Sequence, residues 1–176
     1  NKNFYTSIFF ISLFLIGVYI FPDYGIGIDE DNSRVNGFVS LKYIFEVFFP
    51  DNVFKINDII NVPNINNYGQ QGNGVVFDLP AAFLELIFNI TNPREIYLLR
   101  HLLNFLLFFT SVFFFYKIIK NRYNSYLTGI IGAAFLVLSP RIFAQSFYNT
   151  KDIFLMSLFI INIYTAINFL EKPNLK

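Results

Sequence analysis

The stretch NFYTSIFFISLFLIGVYIF, residues 3–21, decides the fold, because it contains no charged side chain. A helix of this length, at about 1.5 Å per residue, covers about 30 Å, which is the thickness of the hydrocarbon core of a bilayer. The run is too long for the apolar segment of a signal peptide, and the FPDYG that follows it is not a small-residue cleavage motif. The sequence therefore predicts a first membrane span that is retained.

Three further apolar segments follow, at residues 96–116, 125–140 and 153–170. Hydrophobic residues make up 55% of the chain and charged residues only 14%, whereas soluble domains carry roughly 25% charged residues. These features predict an all-α integral membrane protein with about four transmembrane helices. The third segment carries small residues that predict close helix packing, namely Gly129, Gly132, Ala133 and Ala134.

The long polar interval at residues 22–95 is predicted to be an outer loop that contains two short amphipathic helices, at residues 33–49 and 78–90. Asp78 stands where it can cap the second helix, and Pro80 falls in its first turn. Both helices are too short or too charged to cross a bilayer. We therefore expect them to lie in the membrane interface.

The basic residues outside the apolar segments predict the orientation, because cytoplasmic loops are enriched in Lys and Arg. Four spans place three groups of cations on one side, which is then the cytoplasmic side. The loop at residues 22–95 and the polar link RIFAQSFYNTKD, residues 141–152, then face outward. Arg141 and Lys151 depart from the rule and invite another explanation. The cations on the cytoplasmic side are Lys2, then Lys117, Lys120 and Arg122, then Lys172 and Lys176.

Several classes of function are disfavoured by composition. The chain has no Cys and one His, which excludes disulfides and thiolate metal sites and makes a histidine metal site a poor fit. The acids at residues 29–31 could hold a divalent cation only through oxygens, a weak match, so we predict no cofactor. No basic patch with interleaved aromatics is present, which argues against nucleic-acid binding.

Four groups of ionisable residues fall at the predicted outer face. Each has a plainer interpretation, as a solvated loop, a side chain reaching to the head groups, an interface anchor or a helix cap, with Asn149 and Thr150 as rival caps for the last span. Four such groups at matching depth nevertheless favour a functional cavity, because charges beside membrane spans are costly. The groups are Asp29 with Glu30 and Asp31, Arg100 with His101, Arg141, and Lys151 with Asp152.

Mixed charges at one membrane face are suited to a lipid-linked phosphate and an acceptor that carries a hydroxyl or an amine. A cation can bind the phosphate and stabilise the charge that develops as it leaves. A carboxylate can take the proton of the incoming nucleophile. The amino end of the last span adds a helix dipole that favours phosphate.

Motifs in the same order and topology resemble those of a known family. RHLLN at residues 100–104, LSPR at 138–141, N-x-K-D at 149–152 and IDED at 28–31, with the YG before the second loop helix, resemble bacterial phospholipid-carrier-dependent glycosyltransferases. These belong with the protein O-mannosyltransferase-like branch of the GT-C membrane glycosyltransferases. The resemblance implies transfer of a sugar from a polyprenyl-phosphate donor to a protein or glycolipid acceptor, at the outer face of a bacterial inner membrane.

The resemblance also implies roles for individual residues. Asp29, with Glu30 beside it, matches the acidic pair that acts at the acceptor, and Asp152 matches a second acid of the family. Arg100, Arg141 and Lys151 fall where the family has basic residues near the donor phosphate. Phe154 departs from the pattern, since a Pro is expected there. The family has many more spans than four, so we expect this chain to be an N-terminal portion of the GT-C fold, surrounded by membrane lipids and inactive alone.

Two other classes compete with a transferase. A fragment of a transporter or channel would use the same charges as a substrate path, but transporters place such charges near the bilayer midplane. A purely structural membrane subunit gives no reason for the clustered acids. The position of the charges at one face therefore favours an enzyme at the interface.

Overall fold

The computed structural model describes residues 2–49, 61–70 and 72–171, and this part of the chain contains helices and loops without any strand. The predicted all-α class is confirmed. Part of the predicted outer loop, residues 50–60 and 71, and the tail cations Lys172 and Lys176 lie outside the described residues. The α-helices are α1 (Lys2–Ile20), α2 (Glu30–Phe48), α3 (Asp78–Ile87), α4 (Pro93–Tyr123), α5 (Tyr126–Val137), α6 (Pro140–Tyr148) and α7 (Asp152–Glu171).

Three of the described helices are long and apolar enough to cross a membrane: Asn3–Asp23, which is α1 with a short 3-10 turn, then α4 and α7. Helices α5 and α6 form a pair bent by 68°, and they supply a fourth span if the pair crosses as one. Helix α5 alone is about 18 Å long, which is shorter than the hydrocarbon core. The prediction of about four spans is confirmed with this bent third element.

The helix ends differ from the predicted span ends. Residues 117–124 were expected to be a link, yet α4 continues to Tyr123. It ends where Asn124 adopts the left-handed conformation with φ 49°, and the N–H of Ser125 bonds the carbonyl of Lys120 at 3.2 Å. This is the Schellman arrangement that closes helices. The apolar residues of the sequence therefore predicted where α4 lies, but its last residue depends on the cap at Asn124.

The link predicted at residues 141–152 is also largely helical, because α6 occupies Pro140–Tyr148. Proline fits the first position of a helix, where its missing N–H has no partner to lose. The break before Pro140 separates α5 from α6 and allows the bend. The predicted polar link is therefore an amphipathic helix followed by a short turn.

The described chain forms two compact units, the first made of the residues up to Gly25 together with those from His101 onward. Its core is largely aromatic, with Phe105 and Phe108 fully buried. The ring of Phe147 stacks on Phe105, with 5.2 Å between centroids, and on Tyr24, with 4.3 Å between centroids. These stacks join the end of α1, the middle of α4 and the end of α6.

The small residues of α5 pack as predicted against α4. A Cβ added at Gly129 would lie 2.8 Å from the ring of Tyr116, and one added at Gly132 would lie 2.2 Å from Ile119. Ala133 beside them is fully buried. The small-residue face is confirmed for these three positions.

The second unit is Ile26–Arg100, in which α2 and α3 pack against each other over an apolar cluster of Phe38, Leu41 and Ala82. Gly37 permits the close approach, because a Cβ there would lie 2.3 Å from the carbonyl oxygen of Asp78. The two helices predicted within the outer loop are therefore present, and they form a helix pair.

Candidate functional site

Helix α3 buries an unusual face, in which one acid lies on each side of two alanines. Asp78, Ala81, Ala82 and Glu85 are its buried residues, and their spacing of three, four and seven places them on one side of a helix. Asp78 was predicted to cap this helix, and that prediction is wrong. The cap position is held by Phe77 and no side-chain cap bond is made, since the carboxylate of Asp78 points to a cation instead.

That cation is Arg100, whose side chain is 1% exposed. Its Nε donates to Oε1 of Glu85 at 2.8 Å, and its Nη1 lies 3.6 Å from Oδ1 of Asp78. The other oxygen of Glu85 accepts from Nε of Arg34 at 2.9 Å. Two guanidinium groups and two carboxylates thus form a neutral network, which offsets part of the cost of burying charge.

The three acids that precede and open α2 have different surroundings. Asp29 is exposed, its carbonyl accepts from the N–H of Ser33 at 2.9 Å, and its side chain makes no cap bond. Glu30 is buried, and its carboxylate accepts from the N–H of Gly27. Asp31 accepts from the hydroxyl of Tyr97 on α4. Of the predicted pair, Asp29 therefore has an exposed carboxylate, whereas the carboxylate of Glu30 is buried and holds the preceding loop.

A tyrosine continues the polar packing of this unit. The hydroxyl of Tyr68 donates to Oδ1 of Asn36 at 2.6 Å. Burial raises the pKa of Tyr68, and the negative charge of Asp78 raises it further. The phenol therefore stays protonated and keeps donating at and above neutral pH.

In the first unit, Asp152 opens α7 with an exposed side chain. Oδ1 of Asn149 accepts from the N–H groups of Asp152 and Lys151, at 2.8 and 3.2 Å. Nδ2 of Asn149 donates to Oδ2 of Asp152 at 3.1 Å. Of the rival caps, Asn149 is thus the residue that caps α7, and the Asp152 carboxylate lies outside the cap.

The remaining sequence-predicted cations are both exposed. Lys151 lies in the turn directly before α7, whereas Arg141 is the second residue of α6. The stretch from Arg141 to Asn149, just before Lys151, is about 12 Å long along the axis of α6. The first unit therefore places Lys151 beside Asp152 and Arg141 at the other end of α6, while Asp29, Glu30 and Arg100 belong to the second unit.

Three polar residues that hold the side chains or turns described above were not predicted from the sequence: Arg34, Glu85 and Asn104. Asn104 is fully buried, and its Nδ2 donates to the carbonyl of Asn149 at 3.1 Å. A signal did exist for two of them, because Glu85 shares a helical face with Ala81 and Asn104 lies one turn after Arg100. Arg34 lies four residues after Glu30, a spacing that suggests a local partner and not Glu85.

Within the described residues, no group of three His, Cys, Asp or Glu side chains could hold a metal ion. The expectation that the protein needs no cofactor stays a prediction.

A protein-family model described as dolichyl-phosphate-mannose-protein mannosyltransferase matches residues 79–176, which is more than half of the chain. The chain belongs to this family. It is therefore a multi-pass membrane protein of a GT-C glycosyltransferase family of the mannosyltransferase type. The family match includes Arg100, Arg141, Lys151 and Asp152, and it begins after Asp29. No curated protein and no solved structure matches the chain.

Proposed function

We propose that this chain is part of an enzyme that transfers a sugar from a polyprenyl-phosphate donor to a hydroxyl or amine of a protein or glycolipid acceptor. The reaction takes place at the outer face of a bacterial inner membrane. Membership of the mannosyltransferase family supports the reaction class. The exposed acids and cations at the ends of the membrane-spanning helices support the location.

Asp29 is the proposed base. Its carboxylate takes the proton from the acceptor while the acceptor oxygen or nitrogen bonds to the anomeric carbon of the sugar. The bond between that carbon and the phosphate oxygen breaks, the polyprenyl phosphate leaves with the electron pair, and the anomeric configuration inverts. Support for Asp29 comes from its exposed side chain, which is not used to cap α2. Glu30 is buried and braces the loop, so we assign it a supporting role.

The donor phosphate is assigned to exposed cations. Arg141 and Lys151 are both exposed, and they would stabilise the negative charge that develops on the departing phosphate. Asp152 orients Lys151 or the acceptor from the amino end of α7. Arg100, the third predicted phosphate ligand, is held by Glu85 and Asp78, so we assign it to the support of this helix pair.

One observation carries the proposal that the two acids act on the same membrane face. Tyr24 stacks on Phe147 within one compact unit. Tyr24 precedes Asp29 by five residues, and Phe147 precedes Asp152 by five residues. The chain therefore leaves the first unit after Gly25 and enters α7 from the same end of that unit, as expected if α5 and α6 together cross the membrane.

Replacement of Asp29 tests the proposal. Cells that lack the gene are complemented with the wild type, Asp29→Asn or Asp23→Asn, and their envelope glycans and glycolipids are compared by mass spectrometry. We expect Asp29→Asn to reduce product formation by about 100-fold or more, with unchanged insertion and expression. Asp23 is an exposed acid of the same loop, so Asp23→Asn is the matched control and should behave as wild type. Full product formation by Asp29→Asn would remove Asp29 from the mechanism.

A further inference from the structure

The turn that precedes α7 holds the Asp152 carboxylate in a fixed position. Asn149 makes three contacts with this turn, accepting two backbone N–H bonds through Oδ1 and donating to Oδ2 of Asp152 through Nδ2. One amide thus uses its acceptor to cap the helix and its donor to restrain the carboxylate. Helix capping needs only the acceptor, so the donor bond to Asp152 is a restraint in addition to the cap.

The turn is itself held from α4. Nδ2 of Asn104 donates to the carbonyl of Asn149 at 3.1 Å and lies 3.5 Å from the carbonyl of Gln145. The carbonyl of Gln145 also accepts from the N–H of Asn149 at 2.9 Å, and Asn149 directly follows the last residue of α6. Asn104 is fully buried in the first unit, so a fixed side chain determines where the α6–α7 turn lies.

We propose that Asn149 is a positioning residue for Asp152, and that Asn104 positions Asn149 in turn. This inference rests on the proposed function, since it assumes that the Asp152 carboxylate acts at the site. Asn104 restrains the backbone of the turn, and Asn149 restrains the carboxylate relative to that backbone. The Asp152 carboxylate is thereby held in place at the amino end of α7, where the proposed function has it act on Lys151 or on the acceptor.

Two substitutions at Asn149 separate positioning from capping. Asn149→Ser keeps a good helix cap but removes the amide Nδ2 that donates to Asp152 and leaves only a shorter hydroxyl, so we expect product formation to fall at least tenfold with an unchanged melting temperature. Asn149→Asp also keeps the cap, but it places a second carboxylate beside Asp152. Like charges raise the pKa of an acid, so the acidic limb of the pH–activity profile should move to higher pH. Lys151, the neighbouring cation, is unchanged in both variants.

The chain offers a matched control at the start of α4. Oδ1 of Asn92 accepts from the N–H of Arg94 at 3.1 Å, and its Nδ2 lies 3.4 Å from Oε1 of Glu95. The pattern of cap and acid is the same as at Asn149, but no proposed site residue is involved. Asn92→Ser should therefore leave product formation and its pH profile unchanged.

The outcomes distinguish this inference from the proposed function. If Asp152→Asn is inactive while Asn149→Ser is fully active, positioning by Asn149 is wrong and the proposed function stands. If the loss of product formation in Asn149→Ser is accompanied by a lower melting temperature, positioning by Asn149 is also wrong. The same holds if Asn92→Ser loses as much product formation as Asn149→Ser. If Asp152→Asn is fully active, the role proposed for Asp152 fails, and this inference fails with it.

Discussion

At the scale of single residues, the second unit depends on one carboxylate shared by two guanidinium groups. Glu85 bonds Arg100 through one oxygen and Arg34 through the other, so it joins side chains from α2, α3 and α4. The side chains of Glu85 and Arg100 are almost fully buried, whereas that of Arg34 is 29% exposed. The three members of this chain of contacts should therefore differ strongly in their effect on stability.

Glu85→Gln tests this difference, because it removes the charge and keeps the shape of the side chain. Within the described network, Arg100 then keeps only Asp78 as a carboxylate partner, and Arg34 loses its bond to Glu85. Breaking a buried ion pair in this way costs about 3–5 kcal/mol. We expect a decrease of that size in the free energy of unfolding, measured in detergent by urea titration with tyrosine fluorescence, which is usable because the chain has no Trp.

Arg34→Gln is the control for Glu85→Gln. It leaves the bond between Glu85 and Arg100 intact, and water can replace the partly exposed guanidinium. The cost should therefore be about 1 kcal/mol or less. Equal losses for the two variants would show that Glu85 is not the centre of the network.

The sequence singles out Arg100, because a charge inside an apolar segment is conspicuous. Its partners on α3 could not be predicted, because the pairing requires α3 to bury its acidic face. The sequence of α3 alone does not show which residues pack against that face. The same limit applies to Asp78, which fits the pattern of a cap but pairs with Arg100 instead. Exposed residues such as Asp29 and Lys151 depend less on packing, so sequence and topology place them more directly.

At the scale of elements, glycines set how closely helices approach. Gly37 on α2 faces the backbone of α3, where an added Cβ would lie 2.3 Å from a carbonyl oxygen. Gly132 on α5 faces only the end of the flexible Ile119 side chain, at 2.2 Å. Both positions gain about 1 kcal/mol of helix propensity from alanine, so the difference between them reports the packing.

We expect Gly37→Ala to destabilise the protein by about 1–3 kcal/mol, because the backbone of α3 must move away. Gly132→Ala should be neutral or slightly stabilising, since Ile119 can change rotamer. Melting temperatures of the two purified variants in the same detergent compare them directly. A Gly37→Ala variant as stable as Gly132→Ala would contradict the close backbone contact between α2 and α3.

Helix positions were predictable from apolar runs, but helix ends were not. The left-handed residues Asn89 and Asn124, both at φ 49°, terminate α3 and α4, and Asn is a weaker stop signal than Gly because it occurs often in this chain without ending a helix. The division of the third span at Ser139 was also missed. Its apolar composition continues to Leu138, and only the following Pro140 marks the new helix.

At the scale of the whole molecule, the membrane topology depends on the bent pair α5 and α6. If the pair crosses the membrane once, α7 begins on the same face as the loop after α1. If the pair is a re-entrant hairpin, α7 begins on the opposite face and Asp29 and Asp152 cannot act together. The stack of Tyr24 on Phe147 favours a single crossing, because it joins the end of α1 to the end of α6.

Cysteine labelling in intact cells decides between these topologies, and the native chain is a suitable background because it has no Cys. Single cysteines are introduced at Ile28, which is 99% exposed, and at the exposed residues Lys151 and Arg122. A single crossing predicts that Ile28→Cys and Lys151→Cys react with a membrane-impermeant maleimide from outside, whereas Arg122→Cys reacts only after permeabilisation. Protection of Lys151→Cys together with labelling of Ile28→Cys would establish the hairpin, and the proposed pairing of the two acids on one face would then be wrong.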